Sequence, residues 1–356
     1  MESALMTAPP SLAATSSASA DLPLAVGPAI RTAAGFVSMP VVSFMPAATT
    51  ANGQPMQASA TVNVATLVVP SGGTAALDAA IQKLSAILPG AGEAIALGGC
   101  ARDITFAGGD VVELRKAALD AAGHLPVDIV IQPAAIRRKK LLIADMDSTI
   151  IGQECIDELA DIVGIRAEIS AITERAMRGE IAFEPALRER VHLLRGVTLA
   201  SIRKLLDDVI TLNAGARALA TTMTRNGAHT ALVSGGFTLF TSVVAERAGF
   251  GENRANILEQ SGDELTGAVR EPILGREAKR QALEEMASER GIPLELTLAI
   301  GDGANDLAMI ERAGLGVAYR AKPVVAAAAS AAINHTDLTT LLYAQGYREN
   351  EITADV

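Results

Sequence analysis

Two aspartates that directly follow an apolar run are the residues with the clearest potential for chemistry. Leu141–Ala144 has the continuous apolar character of a parallel strand buried on both faces, and Asp145 and Asp147 follow it in the sequence Asp-Met-Asp-Ser-Thr. Ligands bind at the carboxyl ends of strands in open α/β sheets. Burying both carboxylates is costly unless a cation neutralises them, which indicates a hard divalent metal. Acidic turn residues or helix capping would also explain such a pair.

Two further predicted strands end in polar motifs. The strand at 228–233 is followed by Ser234 and Gly235, which offer a hydroxyl and backbone N–H groups to phosphate oxygens, although an ordinary strand-to-helix turn fits as well. The strand at 296–300 is followed by Gly-Asp-Gly-Ala-Asn-Asp. This third motif supplies two carboxylates and a neutral donor: Asp302, Asp306 and Asn305. Four aspartates at two strand ends are hard to explain by folding alone.

The order of the motifs narrows the possibilities. Asp-x-Asp-Ser-Thr, Ser-Gly-Gly, Lys279 and Gly-Asp-Gly-x-Asn-Asp follow one another, and each except the lysine ends an apolar strand. Lys279 taken alone would be a surface charge. The series resembles the haloacid dehalogenase superfamily over residues 140–345, and it differs from response-regulator receivers and P-loop proteins. The resemblance implies an α/β fold, a doubly wound Rossmann-like core with an inserted helical cap at about 154–212.

Within that superfamily the sequence looks most like the phosphoserine phosphatases. Glu154 stands just after the predicted nucleophile loop, and Phe183 precedes Arg190 by seven residues in a helical segment. The resemblance implies that Glu154 binds the ammonium of the substrate and Arg190 its carboxylate, which a guanidinium can bind bidentately. Met177 and Phe183 would be apolar walls of the pocket, although core packing explains them equally well. An ordinary amphipathic helix face is the alternative for Arg190.

The resemblance also implies a reaction through a phospho-aspartyl intermediate. Asp145 would attack phosphorus, while Asp147 would protonate the leaving alkoxide and then deprotonate the attacking water. The resemblance also implies that four aspartates bind Mg²⁺: Asp145, Asp147, Asp302 and Asp306. Asp147 would do so through its backbone carbonyl, and Asp306 would lie in or near the coordination shell. Ser234, the Gly235 N–H and Lys279 would hold the phosphate oxygens, and Asn305 would orient a phosphate oxygen or Lys279.

The expected activity is hydrolysis of O-phosphoserine to serine and inorganic phosphate, the last step of serine biosynthesis. Two alternatives stay open: a phosphatase or phosphotransferase acting on phosphohomoserine or a sugar phosphate, and a non-catalytic sensor of phosphate or amino acids. Glu154 and Arg190 favour an α-amino acid, because a sugar needs neither charge. The presence of every predicted acid argues against a degenerate catalytic domain.

Composition excludes several other classes of function. A net charge of −10 and a pI near 5.0 argue against nucleic acid and against an anionic membrane surface. Residues 32–77 carry few charges, but Pro, Gly, Ser and Thr interrupt them, so we expect no membrane span there. The two cysteines belong to no CxxC pair, so they indicate no disulfide framework and are consistent with the reducing cytoplasm. The four histidines are scattered along the chain and indicate no zinc site.

The remaining segments define the domain organisation. Residues 1–59 predict a low-complexity, disordered leader, unless the natural start lies downstream at Met56. Residues 60–134 show a βαββαβ pattern typical of a small α+β ferredoxin-like domain, which resembles ACT-type regulatory modules. Such a domain could bind serine, act as a spacer or form a homodimer. The core would span 135–346, beginning with a solvated basic linker at 137–140, and 347–356 would be a tail.

Overall fold

The computed structural model describes residues 61–354, except the side chain of Met177. The predicted leader at 1–59 and the alternative start at Met56 lie outside these residues. Within them, no helix combines the length and the apolar character that crossing a membrane requires.

The first part of the described chain forms a four-stranded antiparallel sheet with two helices on one face. Its elements follow the predicted order: β1 Val62–Val68, α1 Thr74–Ile87, β2 Ala94–Ala96, β3 Ala101–Ala107, α2 Val111–Ala122 and β4 Asp128–Pro133. The strand order is β2-β3-β1-β4. One face of the sheet packs with the two helices into a single core. The strand residues on this face alternate with residues of the opposite face, and they include Ala65, Leu67, Ile104 and Ile131. This is the βαββαβ arrangement that the pattern predicted, whereas the amino-acid-binding role of an ACT-like domain stays a prediction.

Eight further strands follow: β5 Leu141–Ala144, β6 His229–Phe237, β7 Glu252–Asn256, β8 Leu258–Ser261, β9 Glu264–Val269, β10 Thr297–Gly301, β11 Leu315–Tyr319 and β12 Ala331–Ile333. Six of them form a parallel sheet in the order β12-β11-β10-β5-β6-β7. The chain winds outward from β5 in both directions, so the sheet is doubly wound and its topological switch point lies beside β5. The three strands predicted to end in polar motifs are therefore neighbours at the centre of the sheet.

Ten helices accompany this part of the described chain: α3 Cys155–Val163, α4 Arg166–Met177, α5 Phe183–Leu193, α6 Leu199–Asp208, α7 Ala216–Arg225, α8 Thr238–Ala248, α9 Arg276–Glu289, α10 Leu307–Arg312, α11 Pro323–Ala328 and α12 Thr340–Ala344. The first four occupy the segment 154–212, where a helical cap is expected. Strands β8 and β9 form an antiparallel hairpin that packs against α5. This hairpin was not predicted: its strands have only four and six residues, most of them exposed or half-buried, so neither contains a sustained apolar run.

The basic segment at 137–140 is only partly the solvated linker that was expected: Arg138 and Lys140 are exposed, whereas Arg137 is half-buried and Lys139 is buried. Arg137 forms an ion pair with Asp103 at 2.7 Å, and the Arg138 guanidinium stacks 3.5 Å from the centre of the Tyr347 ring. Lys139 is buried and donates to the carbonyl oxygen of Glu295 at 2.8 Å. Tyr347, assigned to the tail from the sequence, is buried in the core that surrounds the large sheet. Long basic side chains pack their stems against neighbouring residues, which charge alone does not reveal.

Candidate active site

Asp145 lies directly after β5, at the switch point of the sheet. Its backbone N–H donates to the carbonyl oxygen of Ile300 on β10 at 3.0 Å, which fixes it beside the third motif. The side chain is buried, and its Oδ1 accepts from the N–H of Met146 at 2.8 Å and lies 2.7 Å from the Lys279 ammonium. The carboxylate is therefore held in one orientation by groups on two different elements.

Lys279 is a buried cation rather than a surface charge. It projects from the first turns of α9, is 1% exposed, and its Nζ lies 2.7 Å from Oδ1 of Asp145 and 2.6 Å from Oδ1 of Asp306. Burial alone would lower the pKa of this ammonium, but the two carboxylates outweigh burial and raise the pKa above its ordinary value. Lys279 thus stays protonated and provides a fixed positive charge beside Asp145.

Three carboxylates converge at this point and form a candidate metal site. Oxygen atoms of Asp145, Asp302 and Asp306 all lie within 4.8 Å of one another. Burial, followed by the charge of Asp145, raises the pKa of both Asp302 and Asp306. One ammonium does not neutralise three carboxylates, and carboxylate oxygens are the donors that Mg²⁺ prefers, so the residues present fit this ion.

Asp306 has a second role within this cluster. Its Oδ1 faces Lys279, while Oδ2 accepts from the backbone N–H of Gly303 at 3.0 Å. A Cβ on Gly301 would lie 2.4 Å from this carboxylate, so glycine is needed there for the close approach. Asp306 therefore chiefly holds Lys279 and the loop, whereas Asp145 and Asp302 line the cavity described below and are the more accessible metal ligands.

The Asp147 carboxylate faces another direction. Its Oδ1 accepts from the backbone N–H of Cys155 at 3.3 Å, and a Cβ on Gly236 would lie 3.2 Å from its Oδ2. Burial, and then the charges of Glu154 and Asp145, raise the pKa of Asp147 to about 8. A carboxyl group with such a pKa has access to both protonation states near neutral pH, which general acid–base chemistry requires.

Ser234 and Gly235 lie on β6 and Asn305 follows β10, the two strands that flank β5 and Asp145. Strand β6 continues to Phe237, so the Ser-Gly-Gly motif lies inside the end of the strand rather than after it, where the pairing with β7 becomes irregular. Ser234 is buried and its Oγ accepts from the Gly236 N–H at 2.9 Å. The Asn305 amide nitrogen lies 3.5 Å from Oδ2 of Asp145. These groups place polar atoms beside the nucleophile candidate.

A cavity of about 470 Å³ opens above these residues. Nine of the residues predicted from the sequence line it: Asp145, Asp147, Glu154, Phe183, Arg190, Ser234, Gly235, Asp302 and Asn305. Lys279 and Asp306 lie behind the wall and support it. Met177 belongs to α4, but its side chain lies outside what the structure describes.

Two residues of opposite charge line the cap side of the cavity. Glu154 accepts a hydrogen bond from the Ser148 hydroxyl at 2.7 Å. Arg190 on α5 donates from Nε to the carbonyl oxygen of Ala186 at 3.3 Å, and its Nη1 lies 3.5 Å from the hydroxyl of Thr173. Burial lowers the pKa of this guanidinium, while Asp157 and Glu154 act in the opposite direction. A charged group facing an enclosed cavity is poised to bind a ligand of opposite charge.

The cavity also contains residues that sequence reasoning missed. Asp157 and Thr173 come from α3 and α4, and Lys322 follows β11, the strand next to β10. Asp157 could have been found from its position, because it lies in the first turn of α3, three residues after Glu154, which directly precedes that helix. Lys322 could have been found as a charge at the end of another parallel strand.

Comparisons with known proteins agree with this geometry. Residues 142–311 match the haloacid dehalogenase-like hydrolase family. A phosphoserine phosphatase from Polaromonas sp. is 46% identical over 208 residues, which cover 57% of this chain and 88% of that protein. The chain belongs to the phosphoserine phosphatase family of haloacid dehalogenase-like hydrolases, and it is a phosphatase.

Two solved structures extend the similarity. A HAD family hydrolase from Salmonella enterica superposes with a TM-score of 0.70 at 28% identity, covering 80% of this chain and 98% of the other. A phosphoserine phosphatase solved as an analogue of its phospho-aspartyl intermediate gives a TM-score of 0.54 at 38% identity, covering 58% of this chain and 98% of the other. The Rossmann-like core predicted from the motifs is thereby confirmed.

Proposed function

We propose that the protein hydrolyses O-phosphoserine to serine and inorganic phosphate, with Asp145 as the nucleophile and Mg²⁺ as the cofactor. The observation that carries this proposal is the pairing of Glu154 and Arg190 across one cavity from Asp145. O-Phosphoserine carries an ammonium, a carboxylate and a phosphate, and the cavity offers a group of matching charge or chemistry to each. A relative of this chain has been solved as a phospho-aspartyl analogue, which supports the same intermediate here.

The phosphoryl step follows from the fixed groups around Asp145. Lys279 and the Met146 N–H orient Asp145 through its Oδ1, so that Oδ2, beside the Asn305 amide, attacks phosphorus and the serine oxygen leaves on the opposite side. The Ser234 hydroxyl, the Gly235 N–H and the Asn305 amide supply neutral donors to the equatorial oxygens, where charge spreads in the transition state. None of these donors needs to reorganise during the reaction, because the sheet and its loops already hold them.

Asp147 performs the proton transfers. In its acid form it protonates the departing alkoxide, and as a carboxylate it then removes a proton from the water that cleaves the acyl-phosphate. Its carboxylate lies apart from the carboxylate cluster and is held by Cys155 N–H, so it can face the leaving group. Its raised pKa allows it to accept and release a proton within one cycle.

Mg²⁺ would be held chiefly by Asp145 and Asp302, with Asp306 supporting them. When bound, the ion neutralises charge on the phosphate and on the carboxylates. The predicted contribution of the Asp147 backbone carbonyl stays part of this proposal.

The amino-acid end of the substrate determines its selection. Arg190 pairs with the carboxylate and Glu154 with the ammonium, while Phe183 closes the side of the cavity near Gly235, where its Cζ would lie 3.6 Å from an added Cβ. Helices α3 to α6 would close over the substrate and exclude water. We further propose that the reaction is the last step of serine biosynthesis, in the cytoplasm, and that the βαββαβ part serves regulation or homodimer formation.

Release of inorganic phosphate from O-phosphoserine, measured with and without Mg²⁺, tests the function directly. We expect release only with the cation, and faster release from O-phosphoserine than from glucose 6-phosphate at equal concentration. Equal rates on both substrates would contradict the assignment of Glu154 and Arg190. No release from O-phosphoserine in the presence of Mg²⁺ would contradict the proposed substrate.

A further inference from the structure

The loop that carries Asp147 contains a strained residue. Ser148 has φ 54° and ψ 2°, in the left-handed region of backbone conformation. Residues other than glycine adopt this region only at a cost in conformational free energy. Such a conformation persists only where surrounding contacts hold it. The contacts that hold this loop therefore decide where the carboxylate of Asp147, the residue before Ser148, points.

Asn213 holds the far end of this loop through three consecutive carbonyl groups. Its side-chain Nδ2 donates to the carbonyl oxygen of Thr149 at 2.9 Å and of Ile151 at 3.1 Å, and its backbone N–H donates to that of Ile150 at 2.8 Å. The three residues it binds are buried. The Thr149 hydroxyl in turn lies 3.3 Å from Oδ1 of Asp302, so the segment that Asn213 holds also touches the third motif.

Asn213 also lies where the cap returns to the core. The two segments that join the cap to the core, 151–154 and 209–213, run side by side in antiparallel pairing. The Gly152 N–H donates to the Thr211 carbonyl at 3.3 Å, and the Gln153 carboxamide exchanges hydrogen bonds of 3.0 and 3.1 Å with the hydroxyl and N–H of Thr211. Asn213 therefore lies at the end of a hydrogen-bonded pair of segments that joins the cap to the loop of Asp147.

We propose that Asn213 is a positioning residue for the phosphoryl transfer, which ties the strained loop of Asp147 and Ser148 to the segments that join the cap to the core. The inference rests on the proposed function. The side-chain amide of Asn213 donates to the carbonyl oxygens of Thr149 and Ile151, and these two hydrogen bonds keep the loop in the geometry that the reaction needs. Asn213 touches no reacting atom, so it acts through the loop alone.

The test compares two variants with wild type on O-phosphoserine and on p-nitrophenyl phosphate. N213A removes both side-chain donors, and N213D keeps the shape of the residue but presents carboxylate oxygens to the two carbonyls. We expect kcat to fall by about tenfold or more on both substrates, because small misplacement of catalytic groups is costly, while KM changes by less than about threefold. The folded fraction at the assay temperature, measured by thermal denaturation, separates this loss from unfolding.

T211V is the matched control, because it removes a hydroxyl from the same linker without touching the loop carbonyls. Its kcat should equal that of wild type. If N213A and N213D also keep wild-type kcat, or lose kcat only in proportion to their unfolded fraction, the positioning role is wrong. If N213A does not fold, N213D decides alone. Failure of wild type itself to release phosphate from O-phosphoserine would instead reject the proposed function.

Discussion

The ammonium of Lys279 lies 2.7 Å from Oδ1 of Asp145, and both side chains are almost completely buried. This ion pair joins the start of α9 to the end of β5, and the second oxygen of Asp145 lies 3.5 Å from the amide nitrogen of Asn305, which also lines the cavity. Desolvation offsets much of the attraction within an ion pair this deeply buried, so its presence alone is weak evidence of a role in stability.

Removing the Lys279 charge should damage both stability and activity. The variant K279M leaves Asp145 and Asp306 buried without their cation, so we expect the free energy of unfolding to fall by about 3–5 kcal/mol without Mg²⁺. Because a bound cation would neutralise the same carboxylates, Mg²⁺ should raise the melting temperature of K279M more than that of wild type. Thermal denaturation with and without Mg²⁺ measures this, and an equal or smaller shift in K279M would contradict the shared cation site.

The pKa of Asp147 makes a prediction about pH. Since the acid form must protonate the leaving alkoxide, kcat/KM for O-phosphoserine should fall about tenfold per pH unit above the pKa of Asp147. This alkaline limb of the pH profile should begin at or below pH 8. Burial and neighbouring carboxylates raise the pKa of Asp147 to about 8, and a bound cation would lower it again.

The substrate p-nitrophenyl phosphate provides the control for this limb, because its leaving group needs no proton. In D147N, kcat/KM for O-phosphoserine should fall by about 10²–10⁴ and lose the alkaline limb, with a smaller loss on the aryl phosphate. A D147N variant that loses activity equally on both substrates would show that Asp147 is not the acid.

Arg190 should govern the choice of substrate. R190A removes the cation that faces the substrate carboxylate, so we expect kcat/KM for O-phosphoserine to fall by about 100-fold, the equivalent of a lost charged hydrogen-bond pair. The loss on p-nitrophenyl phosphate should be much smaller. R188A is the control, because Arg188 is exposed on the same helix and pairs with Glu271 instead. Equal losses in R190A on both substrates would place Arg190 in structure or phosphate binding.

Asp128 should stabilise the contact between β4 and the segment after β12. Its buried carboxylate accepts from the backbone N–H groups of three consecutive residues and from the hydroxyl of the last: Asn334, His335 and Thr336. D128A leaves these donors without their acceptor, so we expect the free energy of unfolding, measured by urea denaturation, to fall by about 2–3 kcal/mol. D120A, at an exposed site on α2, should change it by less than about 0.5 kcal/mol. Equal values for the two variants would contradict this assignment.

Much of the site was predictable from the sequence, because its residues are contiguous with strands that the sequence also reveals. The run before Asp145 is apolar throughout, which identifies a central parallel strand, and the carboxyl ends of such strands meet at one edge. Asp302 and Asn305 could be placed for the same reason. The order of β5, β6 and β10 in the sheet then follows from the need to bring these motifs together.

Residues that act across elements were harder to predict. The burial of Lys279 depends on which side of α9 meets the sheet, and helical periodicity in a charged segment does not decide that. Thr173 reaches the cavity only because α4 packs against α5, a tertiary contact. Asn213 has no motif at all, because its role depends on the pairing of two linkers far apart in the sequence.

The central claim, that Asp145 becomes phosphorylated, can be measured by acid quench of the enzyme with radiolabelled O-phosphoserine and Mg²⁺, followed by peptide mapping. The account predicts label on the peptide that contains Asp145 during turnover, and no label and no turnover in D145N. Turnover by wild type without any label on that peptide, together with near-normal activity in D145N, would contradict it.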